Sequence, residues 1–298
     1  MTASALIRWM RPLACLAFTA ALSTVAASSA RAEPVQIKPS ILRLNGNLEL
    51  PEGKEVADGE VLVIVHGLLS YYGQETVAAL QKNLKLRGRA TLAINLSLGI
   101  DDRRKPRACD VVHDYALAGA RREIALWIEW LYAQHAKGVD LLGFSRGGAQ
   151  VAALGPELPK VRRMVLMAPA FATASELAAN YEKTFGHPLA PELEKARQNP
   201  LQQYTVDFLT CKQAPVLGAT LLDAYTERPP KLAAKTGHPT LVVVAGKDEV
   251  VPDLQSKLPS EVQKAVIDGS SHFFPDLYGE DAADVIAKFL TRTQSTTK

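Results

Sequence analysis

The residues Val139-Asp140-Leu141-Leu142-Gly143-Phe144-Ser145-Arg146-Gly147-Gly148-Ala149 decide how this chain is read. Residues 139–143 have the make-up of a buried strand, and the small residues of 147–153 open a helix. Between them Gly143, Ser145 and Gly147 fit the pattern G-x-S-x-G, a turn so tight that side chains at the glycine positions would collide with the adjoining strand and helix. A serine in such a turn is held in a strained backbone conformation. The plainer reading is a glycine-rich turn carrying an inert serine, and the partners available elsewhere in the chain weigh against it.

Outward from this turn, strands and helices alternate. Residues 61–65 are a continuous apolar run, the mark of a strand buried on both faces, and it stops at His66-Gly67. The spacing of Val77, Leu80, Leu84 and Leu86 predicts a helix over 75–86, terminated by Gly88. Strands are predicted over 90–95 and 163–167, with a long helix over 111–136 whose apolar face carries Ala116, Ile124, Trp127, Ile128 and Leu131. The pattern closes with strands over 241–245 and 264–267 and an amphipathic helix over 281–293. Upstream, the short apolar stretches 41–44 and 48–50 flank Asn45-Gly46, a turn pair that predicts an early antiparallel hairpin. The result is an α/β class fold: a mostly parallel eight-stranded sheet with helices on both faces. Residues 171–238 interrupt it with helical stretches near 175–185, 191–198 and 215–227 and no convincing strand. They read as a helical cap over the carboxyl ends of the strands, where open α/β sheets bind ligands.

A serine hydroxyl is a weak nucleophile until a base takes its proton, and the base needs an acid to set its tautomer. The candidate base is His272 in Gly269-Ser270-Ser271-His272-Phe273-Phe274, just past the last predicted strand. The candidate acid is Asp248 in Ala245-Gly246-Lys247-Asp248-Glu249, just past the strand before it. Ser145, Asp248 and His272 are therefore expected to converge on one edge of the sheet. Glu249 and Asp268 stay open as alternatives for the acid. His135 and His238 at element edges and His187 in the cap are weaker bases, and His66 is read as a buried hydrogen-bonding residue that shapes its turn.

At this point the chain resembles the α/β-hydrolase family. His66-Gly67, Gly143-Phe144-Ser145-Arg146-Gly147, Asp248 and His272 match its motifs in order over roughly residues 61–290. The resemblance implies an oxyanion hole formed by the backbone N–H groups of Leu68 and Arg146, whose fixed donors stabilise the tetrahedral intermediate. It also implies a serine hydrolase of carboxylesterase type, cleaving an ester or thioester of a small or medium acyl substrate. By the same analogy, apolar cap residues such as Phe208, Leu221 and Leu222 enclose the acyl group. An exopeptidase or amide hydrolase with the same triad is the alternative, with cap acids such as Glu176, Glu182 and Glu192 to hold an amine. A catalytically inactive binding module of the same fold is the other.

The composition agrees with a soluble enzyme: 298 residues, 47% hydrophobic and 22% charged. Residues 1–32 read as a secretory signal peptide, with Arg8 and Arg11, an apolar run and an Ala30-Arg31-Ala32 cleavage site, so the mature domain is 33–298 (core 33–170 and 239–298, cap 171–238). No stable membrane span is expected after cleavage. The net charge of +3 lies in that leader; without it 31 basic residues face 31 acidic ones, so no footprint for nucleic acid is expected. Two cysteines outlast cleavage, and in a periplasmic or secreted protein Cys109 and Cys211 are expected to form a disulfide. Cys109 and His113 at helical spacing resemble metal ligands, but one face supplies too few, so no metal and no other cofactor is expected. The loop from Asp101 through Arg103, Arg104 and Lys105 to Arg107 is read as a solvated charged loop rather than a guide for an anionic substrate.

Overall fold

Strands that are apolar on both faces need cover on both sides, and the chain supplies it. The structure, a computed structural model, describes Met1, residues 33–39 and 41–291; the leader's arginines, apolar run and cleavage site lie outside the described residues. The main sheet comprises β1 (Glu33–Ile37), β2 (Leu44–Glu49), β3 (Glu60–Val65), β4 (Ala90–Ile94), β5 (Gly138–Phe144), β6 (Val161–Met167), β9 (Thr240–Ala245) and β10 (Gln263–Ile267). A separate hairpin, β7 (Gln203–Phe208) with β8 (Cys211–Leu217), lies between β6 and β9. The eight main strands are ordered β1-β2-β4-β3-β5-β6-β9-β10, antiparallel at the β1 end and parallel from β4 onward. One face packs on α2 (Leu117–Ala133) and α3 (Arg146–Leu154), through Ile124, Trp127, Leu131 and Val151. The other packs on α1 (Glu75–Leu86) and α7 (Leu277–Thr291), through Leu80, Leu84, Ile286 and Phe289. No helix among the described residues is long and apolar enough to cross a membrane.

Four expectations fail, each where long-range contacts intervene. Asn45-Gly46 is no hairpin turn but lies inside β2, pairing with Gln36 and Val35. A Cβ at Gly46 would come within 3.0 Å of Leu92 Cδ1 and 3.3 Å of Ala93 O, so the glycine lets β2 seat closely against β4. The long helix predicted from residue 111 starts only at Leu117. Residues ahead of it are drawn away by the cap: Cys109 is disulfide-bonded to Cys211, and His113 bridges Val216, its N–H donating to Pro215 O (2.7 Å) while its carbonyl accepts from Leu217 N–H (2.9 Å).

The segment between β6 and β9 is not purely helical. It contains α4 (Ala174–Phe185), α5 (Ala190–Gln198), the β7–β8 hairpin and α6 (Gly218–Ala224), so the helix expected over 215–227 begins as a strand. The hairpin turns through Leu209 and Thr210 with Leu209 at φ 61°, lacking the Asn-Gly signature that announces such turns. Alternation of Tyr204, Val206 and Phe208 was its available signal. With Leu221 and Ala224 of α6, Val206, Phe208 and Val216 make a small core of their own.

The charged loop is also not simply solvated. Arg103 and Arg107 are buried. Arg103 donates to the carbonyls of Leu96, Ser70 and Lys105 and to His66 Nε2, clamping the loop onto the β3 turn.

Candidate active site

The carboxyl ends of β3, β5, β9 and β10 place four short segments around one point. At the end of β5, Ser145 adopts φ 54°, ψ −121°, a conformation costly for a residue with a Cβ. It persists because both sides are tied down: Ser145 N–H donates to Met167 O and Ser145 O accepts from Ala170 N–H, each at 2.9 Å. The two motif glycines are dictated by contact. A Cβ on Gly143 would lie 2.4 Å from Gly147 O, and one on Gly147 would lie 2.4 Å from His66 O. The start of α3 is thus pressed against both its own strand and the β3 turn.

His272 is 1% exposed, and its Nε2 lies 2.9 Å from Ser145 Oγ. Its Nδ1 is 2.9 Å from both oxygens of Asp248. A carboxylate only accepts, so Nδ1 carries the proton and Nε2 is left to accept from the serine hydroxyl. Burial pushes the Asp248 carboxyl up, but hydrogen bonds from His272 and from the N–H groups of Val251 and Val250 outweigh it and hold Asp248 below the usual carboxylate range. Glu249, the neighbouring alternative, instead accepts from the His272 backbone N–H at 3.1 Å and so positions the loop rather than the ring.

Leu68 and Arg146 both border the cavity at Ser145, and neither backbone N–H donates to a protein acceptor among the described residues. They stand beside the N-terminus of α3, where the helix dipole favours negative charge. The β3 turn that carries Leu68 is set by His66, which is 2% exposed. Nδ1 of His66 donates to Gly67 O at 2.8 Å, and Nε2 accepts from Arg103 at 2.8 Å. Burial, aided by the nearby Arg103 charge, pushes the His66 pKa down to about 3, so the ring is neutral.

A cavity of about 390 Å³ opens over Ser145, within the range of small-molecule sites. Leu68, Phe171 and Leu177, with Leu209, Val250 and Val251, give it apolar walls. Phe208, Leu221 and Leu222, expected to enclose an acyl group, belong instead to the cap's own core. Of the cap acids, Glu176 reaches the cavity but is committed: Oε2 accepts from Thr173 N–H at 2.8 Å and Oε1 pairs with Lys257 at 3.0 Å. Glu182 is exposed, and Glu192 pairs with Lys195 at 3.3 Å. Cys109, considered as a metal ligand, has its sulfur in the disulfide. The cavity residues from Phe171, Leu177, Leu209 and Tyr225 are the part of the site that sequence patterning did not pick out, since nothing in their spacing distinguishes them from core.

Comparison with known proteins places this arrangement. Among solved structures, the chain is similar to Est1E from Butyrivibrio proteoclasticus, at 19% identity and a TM-score of 0.64, covering 87% of this chain and 99% of that one. It is also similar to an esterase domain from a Rhodothermus marinus protein (14%, TM-score 0.56, 87% and 97%) and to the Pyrococcus furiosus esterase Pf2001 (16%, 0.57, 89% and 91%). At these identities the likeness is one of fold. No curated protein sequence matches. The profile of the alpha/beta hydrolase family matches residues 62–288, which takes in the parallel part of the sheet from β3 onward, the cap and all three converging side chains, and the chain belongs to that family.

Proposed function

We propose that this protein is an exported serine hydrolase that cleaves an ester or thioester of a small or medium acyl substrate. The observation that carries the reading is the unbroken hydrogen-bond line from Ser145 Oγ through His272 to Asp248, ending on a serine held at positive φ. Ser145 Oγ attacks the acyl carbonyl while His272 Nε2 takes its proton, and Asp248 stabilises the imidazolium that forms. The N–H groups of Leu68 and Arg146 receive the oxyanion. His272 then protonates the leaving group, and water, activated by the same ring, releases the acid from Ser145. Export is supported by the leader's pattern and by the Cys109–Cys211 disulfide, a bond that persists in oxidising compartments. An ester is favoured over an aminoacyl amide because the one cap carboxylate at the cavity, Glu176, is already paired.

The test is the purified mature protein and its Ser145→Ala variant, assayed on short nitrophenyl esters, acyl thioesters and aminoacyl arylamides, and exposed to a fluorophosphonate label. Ester or thioester turnover and labelling that both disappear in the variant are expected. Undiminished turnover in Ser145→Ala would refute the nucleophile, and arylamide turnover exceeding ester turnover would refute the substrate class.

A further inference from the structure

Three charged residues line the cavity over Ser145: Arg146, Glu176 and Lys257. Glu176 and Lys257 neutralise one another at 3.0 Å. Arg146 has no such partner. Its guanidinium makes one hydrogen bond, from Nη2 to Ala224 O at 3.2 Å, and forms no ion pair among the described residues. Of the five N–H donors a guanidinium carries, four therefore have no protein acceptor there. The carboxylate that acts on it, Asp223, is already engaged, accepting from Leu117 N–H at 3.1 Å and facing Arg228 at 3.8 Å. Arg228 is itself a buried cation on the same side of the cap, so the local balance is positive.

Arg146 is partly exposed and is one of the residues that line the cavity. Burial pulls its pKa down, against the pull of Tyr115, Asp223 and Tyr225, yet a guanidinium stays charged at neutral pH. A cation kept in a largely apolar cleft without a counter-ion is costly unless something anionic enters. The planar fork matches a carboxylate, which takes two parallel N–H donors at once. Position adds to this: Arg146 directly follows Ser145, so one side chain's reach separates an anion on the guanidinium from the carbonyl under attack.

We propose that Arg146 is a substrate-binding, specificity-determining residue, and that the preferred ester carries a free carboxylate that pairs with its guanidinium. The inference rests on the hydrolase reading for its chemistry but not for its binding. The backbone N–H of Arg146 serves the oxyanion and its side chain serves the anion, so one residue fixes both ends of a short substrate.

Matched substrates separate this from a structural role. Monomethyl glutarate against dimethyl glutarate places the carboxylate on the acyl side, and 4-acetoxybutyrate against its methyl ester places it on the alcohol side. For wild type, kcat/KM is expected to favour the anionic member of at least one pair by tenfold or more. In Arg146→Met that ratio is expected to collapse to about one or below, carried mainly by KM, and in Arg146→Lys to survive in part. Because the readout is a ratio within each variant, a general loss of activity does not imitate it. Ratios near one for wild type in both pairs, or a ratio unchanged in Arg146→Met, overturn the proposal. Calorimetric titration with glutarate against the neutral diamide decides separately from turnover. Glutarate binding that is lost in Arg146→Met, in a protein that neither turns over esters nor takes the fluorophosphonate, supports the anion site and overturns the hydrolase reading.

Discussion

Removing the Cys109–Cys211 bridge, as the double variant Cys109→Ala/Cys211→Ala, is expected to lower stability by about 5 kcal/mol. The bond joins residues 102 apart. In the chain-entropy treatment, closing a loop of that length removes roughly 16 cal/mol/K from the unfolded ensemble, or about 4.7 kcal/mol at 25 °C. The buried Cys211 sulfur, 1% exposed, adds a smaller packing loss. For a chain of this size the sum corresponds to a fall in melting temperature of about 10–20 °C. The assay is urea denaturation of oxidised wild type and the double variant. The midpoint should drop, and the slope should rise because the uncrosslinked chain exposes more surface when unfolded. The bridge also has a local task. The β7–β8 hairpin meets the core at Cys109 and at the His113–Val216 bridge, so losing one anchor should speed amide exchange in 203–217 before the main sheet opens. A stability change below about 1 kcal/mol, with slope unchanged, would refute the reasoning, as would two free thiols in unfolded, unreduced protein.

Three further outcomes follow from named contacts. Asp248→Asn should cut kcat on nitrophenyl esters by about 10⁴, because an amide that donates to Nδ1 selects the wrong tautomer, whereas Glu249→Gln should cost under about tenfold; equal losses would contradict the assignment of the acid. Burial raises Asp140 to about 6, so between its ordinary pKa of 3.8 and that value the folded protein holds the proton that the unfolded chain releases. Stability from this group therefore falls as pH rises, and wild type should gain about 2 kcal/mol relative to Asp140→Asn between pH 7 and 4.5 in denaturation midpoints, with a constant difference refuting the shift. Gly147→Ala forces a methyl to 2.4 Å from His66 O, and should lower the melting temperature and ester turnover together, by about 1–3 kcal/mol in stability; a variant that melts and turns over like wild type would show that the elbow has slack.

Much of the site is readable in one dimension because it is built at strand ends. A strand buried on both faces is a continuous apolar run, so the ends of β3, β5, β9 and β10 are visible in the chain, and the residues just beyond them must gather at one edge of a parallel sheet. That logic brings Ser145, Asp248 and His272 to one edge without coordinates, whereas Leu68 and Arg146 enter only through the family resemblance. It favours Asp248 but leaves its neighbour Glu249 open, because the choice depends on which carboxylate the turn aims at Nδ1 and which at the backbone N–H.

What the sequence by itself determined is the parallel part of the sheet from β3 onward and the elbow, since these follow from local periodicity and from glycines whose missing Cβ atoms are demanded by near neighbours. What only the tertiary structure decided is everything that depends on long-range partners. The helix expected from residue 111 yields to the cap, which takes His113 into a β-bridge and Cys109 into a disulfide. Asn45-Gly46 is straightened into a strand because it pairs with β1 on one side and β4 on the other. Arg103 leaves solvent for the carbonyls of Ser70, Leu96 and Lys105, Arg107 leaves it for that of Val112, and Arg146 lines the cavity without an ion pair among the described residues. Periodicity records which face of an element is buried, but not against what, and the identity of the partner settles the charge and shape of the cleft.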